Sequence, residues 1–420
     1  MKNKLLFLFL LLSYSIFSQS KISKQQALED IAFLLKTSYD IHPDFYAFKD
    51  SLEFNDEIKK FDTQNDSITL KEFQFHLRKI VNSLKDGHTF VYLNNYEKVK
   101  NGSIKHPIKI IGRELFLAKN PTENLKITTI NNIPSSKIYT DLIELISGEF
   151  LDYKEKILED NFLYFFQLLY GKTDSLNIKD EKGQEKYSIL STSKINKTKY
   201  SFSAINDTIG VLKLTSFSFR KNEENKFKQF IDNTFNSIKE NPKINTLFID
   251  ISENDGGNSS YGDYVLSYLT EKPYNAYEYQ KLKRSKTSKK YFKKFIKWYL
   301  YPIAIFSKEA RLVAFKKVGT EELSINPVTP QNKGYLFNGK VYLITSAKTY
   351  SAGATMAVAF KNAQIGKIVG QASGQPVRGF IDLIPYHLPN SKLKIATSLK
   401  EYRYANGETQ SSKIEPDIYI

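Results

Sequence analysis

The sequence predicts an α/β protein: an N-terminal helical module, a small mixed module, and a larger core with parallel strands. Three observations point there. The chain has 420 residues, more than one ordinary core encloses. Before residue 96, two capping boxes open apolar patterns of helical spacing. From about residue 205, buried-type strands alternate with amphipathic helices, as in parallel sheets. A composition of 41% hydrophobic and 14% aromatic residues excludes a disordered chain.

Residues 1–20 read as a signal peptide. Lys2 and Lys4 precede an unbroken apolar run over 5–12, and a polar stretch follows. Cleavage is expected near Ser18 or Gln19. The alternative, a retained membrane anchor, is disfavoured because the run is too short to span a bilayer. No later segment offers a long uncharged apolar run, so the mature protein is expected to be soluble and exported, to the periplasm or the medium. With no cysteine, it has neither disulfides nor a thiolate nucleophile, zinc site or lipid anchor. The five histidines show no metal-ligand spacing, so neither metal nor cofactor is expected. The formal charge of +16 suggests anionic neighbours, while no nucleic-acid-binding motif is present.

The helical module is expected over 21–96. Ser23 with Gln26 opens one helix, and Thr69 with Glu72 opens another that runs toward Gly87 as a left-handed cap. His42-Pro43, with Phe45 and Tyr46, reads as a helix stop with core-packing rings. His88 then falls at a helix-to-strand corner before a strand over 89–93. Residues 105–200 read as the mixed module, which would position substrate. In the core, 205–420, strands are expected over 209–214, 244–251, 341–345 and 366–370.

Three stretches fall just beyond strand ends, where α/β sheets place active sites. In LFIDISENDGGN, Gly256 and Gly257 can turn an N–H outward as an oxyanion hole needs, or simply form a tight turn. In VYLITSAKTYSAGATMAVAFKN, Ser351 opens a helix, which suits a nucleophile, with the N–H of Ala352 beside it; it also suits a plain N-cap. In LKDGHTFVYL, His88 is either a general base or a structural histidine.

In combination and order, these stretches resemble the tail-specific (C-terminal processing) and tricorn-type serine protease family. The matching segments are DGHT at 86–89, IGVLKLTSF at 209–217, LFIDISENDGG at 247–257, TYSAGA at 349–354, GKIVGQASG at 366–374 and KIEPDIYI at 413–420. The resemblance implies a crotonase/ClpP-like core. It implies Ser351 as nucleophile, with Gly256 or Gly257 and Ala352 as the oxyanion hole. The mixed module falls where the family carries a PDZ-like domain, but without a Gly-Leu-Gly-Phe carboxylate loop, so a degenerate one is expected. One branch of the family uses a lysine base, and Gln375 stands in its place. The other, tricorn-like branch uses a histidine, matched by His88, with Gly87 replacing a supporting serine. The residue orienting His88 is expected among Asp86, Glu408 and Gln410.

The expected function is therefore an exported serine-type peptidase acting on a peptide or protein substrate. The alternative is an inactive binding protein on the same scaffold. Separately, nine Lys or Arg and no acid lie between Lys281 and Lys297, with Phe292, Phe295, Trp298 and Tyr299 among or just after them. This pattern suggests either a lid or a peripheral contact with an anionic surface; otherwise it is a solvated basic helix whose rings pack on the core.

Overall fold

The structure is a computed structural model and describes residues 21–48, 51–59, 61, 65–94, 102–191, 198–307, 310–323, 325–405 and 413–420. The signal-peptide expectation, Glu408 and Gln410 lie outside the described residues.

Strand β1 (Lys21–Ser23) leads into α1 (Lys24–Ile41); after α2 (Ser51–Lys59), β2 (Ser67–Thr69) pairs with β1 and leads into α3 (Leu70–Asn82). Both capping boxes form: Ser23 Oγ accepts from Gln26 N–H, and Thr69 Oγ1 from Glu72 N–H. Helix α1 stops before Pro43, and Phe45 is buried as the pattern suggests. Helix α3 ends earlier than the sequence implies. The left-handed residue is Lys85 (φ 54), not Gly87, and the chain turns there toward the core. The following strand β3 is only Phe90–Val91, and it pairs with Ile395 and Ala396 of a core strand. Phe73, Leu77 and Val81 of α3 share one apolar cluster with Leu393 and Ile395, so the helical module is seated on the core.

In the middle of the chain, β5 (Ile108–Ile111), β6 (Glu114–Asn120), β7 (Glu123–Ile130), β9 (Ser175–Asp180) and β10 (Gly183–Ser188) form an antiparallel sheet of order β10-β9-β7-β6-β5. Short strands β4 (Gly102–Ser103) and β11 (Leu190–Ser191) pair with each other, and β8 (Ile133–Pro134) pairs antiparallel with the end of β7. Two helices, α4 (Ser135–Ile143) and α5 (Leu151–Tyr170), cover the sheet. The aromatic stretch 162–170 belongs to α5, whose Phe162, Phe165 and Phe166 are buried there.

The core holds two sheets. The first runs β12 (Tyr200–Ile205), β13 (Ile209–Leu214), β14 (Thr246–Asp250), β17 (Lys340–Thr345), β18 (Lys367–Gly370) and β21 (Ile418–Tyr419), parallel except for edge strand β12. Helices α6 (Lys221–Glu240) and α7 (Ser260–Leu266) pack with it in the largest apolar cluster, where Phe227, Ile231 and Phe235 meet Leu212, Leu247 and Ile249. The second sheet is antiparallel: β16 (Gly319–Leu323), β15 (Tyr277–Arg284), β20 (Lys394–Tyr404), β19 (Arg378–His387), with β3 added to β20. The excursion between β15 and β16 contains α8 (Lys286–Lys293) and α9 (Tyr301–Ala304). Helix α10 (Ala352–Asn362) follows β17 and is buried on nearly every side, which its small residues permit.

Candidate active site

The end of β17 turns through Thr349 and Tyr350 into Ser351, whose backbone sits at φ 51, ψ −120, a region L-residues rarely occupy. Its hydroxyl makes no capping bond to α10, so it is not the plain N-cap that its position allowed. What over-determines the conformation is Gln375. This fully buried side chain accepts the Ser351 N–H through Oε1 and donates from Nε2 to Tyr402 Oη at 2.8 Å; Tyr402 in turn donates to the Pro376 carbonyl at 2.6 Å. Gln375 thus holds the backbone of the serine from the place where the lysine branch would carry its base. Nearby Lys348 is committed to Asp160 and Glu253. Burial opposes its charge, but those partners hold its pKa above the ordinary range.

His88 reaches Ser351 from the other end of the chain, 263 residues away, with Nε2 3.3 Å from Ser351 Oγ. The ring stacks on Tyr350, centroids 5.3 Å apart, and Tyr350 stacks on Tyr153 of the middle module at 4.6 Å. Burial pushes the His88 pKa below its usual 6.5, only partly countered by Asp86, Asp382 and the Phe380 backbone. The imidazole is therefore neutral near pH 7, as a proton acceptor must be. Among the described residues, buried Nδ1 has no hydrogen-bond partner of normal geometry.

Asp86 lies beside His88 without touching its ring. Its Oδ1 accepts the His88 backbone N–H at 2.9 Å. Its Oδ2 accepts from His42 Nε2 (3.0 Å), Thr89 Oγ1 (2.5 Å) and Ser398 Oγ (2.7 Å). His42 Nδ1 accepts the Asp44 N–H at 3.2 Å, which aims Nε2 at Asp86 as the donor. Burial opposes the charge of Asp86, but these donors, His42 first, bring its pKa down to about 2. Asp86 therefore orients the backbone of His88, and does so together with His42, which the sequence marked only as a helix stop.

The two glycines divide their work. At both, φ is positive (112° and 131°), open to glycine at little cost. The Gly256 N–H is taken by Asn254 Oδ1 at 3.0 Å, so it is not an oxyanion donor. Gly256 supplies space instead: a Cβ there would lie 2.5 Å from Ser351 Cβ. The N–H groups of Gly257 and Ala352 form no hydrogen bond among the described residues.

Glu149 has no signal in the sequence, where it is a lone acid between Gly148 and Phe150. Its buried carboxyl receives the Gly87 N–H at 3.1 Å and the Tyr350 hydroxyl at 2.8 Å. Tyr350 also explains Gly87: any Cβ there would meet its hydroxyl oxygen at 2.1 Å. Burial, then the charge of Asp86, raises the Glu149 pKa from 4.5 to about 8. A carboxyl raised in the folded state stabilises fully below the unfolded value, and that contribution is lost as pH rises through about 8. Glu149→Gln is therefore expected to remove a decline of a few kcal/mol between those limits, read by urea unfolding across pH.

Residues 208–420 match the family described as peptidase family S41. No curated protein matches the chain significantly. Among solved structures, the fold is similar to mature CPAF complexed with lactacystin, at TM-score 0.65 and 12% identity over 94% of this chain and 93% of that one. It is also similar to mature CPAF alone, at TM-score 0.63 and 13% identity over 94% and 92%. A photosystem II D1 C-terminal processing protease is matched at TM-score 0.49 and 11% identity over 95% and 94%. At such identities the likeness to the two CPAF structures is one of fold, and the α/β core flanked by an N-terminal helical module is the architecture the sequence predicted.

Proposed function

This chain belongs to peptidase family S41, and from that premise we propose that it is an exported serine-type peptidase with Ser351 as nucleophile and His88 as general base. The carrying observation is the approach of His88 Nε2 to Ser351 Oγ at 3.3 Å. In this reading Ser351 Oγ bonds to the scissile carbonyl carbon while its proton passes to His88 Nε2. The carbonyl electron pair moves onto oxygen, which the Gly257 and Ala352 N–H groups receive. The C–N bond then breaks, and His88 returns the proton to the leaving amine. Water, deprotonated by His88, then adds to the acyl carbon; the C–O bond to Ser351 breaks, His88 returns the proton to Ser351 Oγ, and the carboxyl product leaves.

The strained backbone at Ser351 and the two unused N–H groups favour catalysis over a purely binding role, which would need neither. The middle module contributes Tyr153 and Glu149 to the walls of the site, which supports a part in positioning substrate. Export rests on the leader over residues 1–20.

A fluorophosphonate probe should label the wild type, leave Ser351→Ala unlabelled, and label His88→Ala at about a hundredth of the rate or less. Equal labelling of all three would remove Ser351 as the nucleophile.

A further inference from the structure

The excursion between β15 and β16 combines two properties that rarely coexist on a soluble surface. Its root is fixed: Ser285 caps α8, the Thr287 N–H donates to Asp40, and Tyr291 and Phe292 pack against Ile41, Leu282, Ile384 and Leu399. Beyond that root the apolar side chains turn outward. Phe295 is 70% exposed, Trp298 80%, Ile303 68% and Phe306 85%. An isolated exposed ring needs no explanation, but a run of them does.

The same segment is strongly cationic. From residue 281 to 307 the sequence has no Asp or Glu. Lys290, Lys293, Lys294 and Lys297 are exposed and have no carboxylate partner among the described residues; Lys293 and Lys297 lie over the rings of Phe315 and Tyr299. The core-packing reading of the sequence thus holds for Phe292 but not for Phe295, Trp298 or Tyr299.

We propose that this excursion docks the protein on an anionic lipid surface, its lysines against the headgroups and Phe295, Trp298, Ile303 and Phe306 at the acyl boundary. Alternating lysines and aromatic or aliphatic side chains are what such an interface solvates: charge in the headgroups, rings just beneath. A second copy of the chain is a poor occupant, because it would bring one acid-free cationic segment against another. Among the described residues no helix is long and apolar enough to cross a membrane, so the element lies in the surface. Because β15 pairs with β20, and Ser398 of β20 holds Asp86, docking would set the cleft at a fixed attitude to the lipid.

Trp298 is the only tryptophan of the chain and reports on the site directly. On vesicles of phosphatidylglycerol in phosphatidylcholine, its emission should shift to the blue and be quenched by brominated acyl chains. Binding should be at least about 100-fold tighter than to phosphatidylcholine alone and should weaken with salt, since each of the four lysines near an anionic surface is worth about fivefold. Combining Lys290→Gln, Lys293→Gln, Lys294→Gln and Lys297→Gln should cost about 100-fold or more, with thermal unfolding unchanged. Wild-type emission unmoved by the anionic vesicles overturns the proposal. So does emission already blue in buffer with sedimentation showing a dimer, which would assign the patch to a second copy.

Discussion

His88→Ala should lower kcat/KM by about 10⁴-fold, the upper range for loss of a general base. Among the described residues no other group is placed to substitute. Gln375 has no proton-accepting nitrogen and is bound to the Ser351 N–H, and Lys348 is held charged between Asp160 and Glu253. The wild-type pH profile carries a second signature. Catalysis needs the neutral ring, so activity must fall on the acid side as His88 protonates. Since burial lowers its pKa, the midpoint of that limb should lie below 6.5. In His88→Ala the limb should vanish along with most of the rate. Steady-state hydrolysis of a peptide substrate across pH measures both. A variant with wild-type kcat/KM would mean that another base serves Ser351.

Asp86→Asn is expected to lower stability by about 3 kcal/mol, because it replaces a buried carboxylate on which several donors converge. His42 and Asp86 are 2% and 1% exposed, so water cannot fill the lost bonds. The pH dependence has a definite sign. A carboxyl depressed from its usual 3.8 to about 2 stabilises the fold above 3.8, and that contribution disappears as pH falls through about 2. It amounts to about 2 kcal/mol, and Asp86→Asn should lack it. Chemical denaturation at several pH values provides the test. Because Asp86 holds the His88 backbone, the folded variant should also lose kcat with KM nearly unchanged. An intact kcat would confine Asp86 to stability.

How much of this was legible in the sequence depended on whether the determinant was local. The capping boxes at Ser23 and Thr69 are contained within four residues, and both form. Strand β13 was read to the residue because its apolar run ends in turn signals on both sides. The end of α3 was misread because Gly87 looks like a cap, whereas its lack of a side chain answers Tyr350, far along the chain. For the same reason Asp86 was named but its contact was not: its partners are His42, Thr89 and Ser398, and one lies 312 residues away. Glu149 could not have been found, since a single acid in a turn carries no pattern. The strain at Ser351 was equally silent, because it arises from Gln375 and the packing of α10.

The pairing of β3 with β20 has a consequence in time. Synthesis delivers His88 early and Ser351 late, yet the seat for His88 is β20, beginning at Lys394, with Ser398 closing on Asp86. A nascent or truncated chain that already contains both residues still lacks the strand that brings them together. In the proposed reading, hydrolytic competence therefore waits on β20.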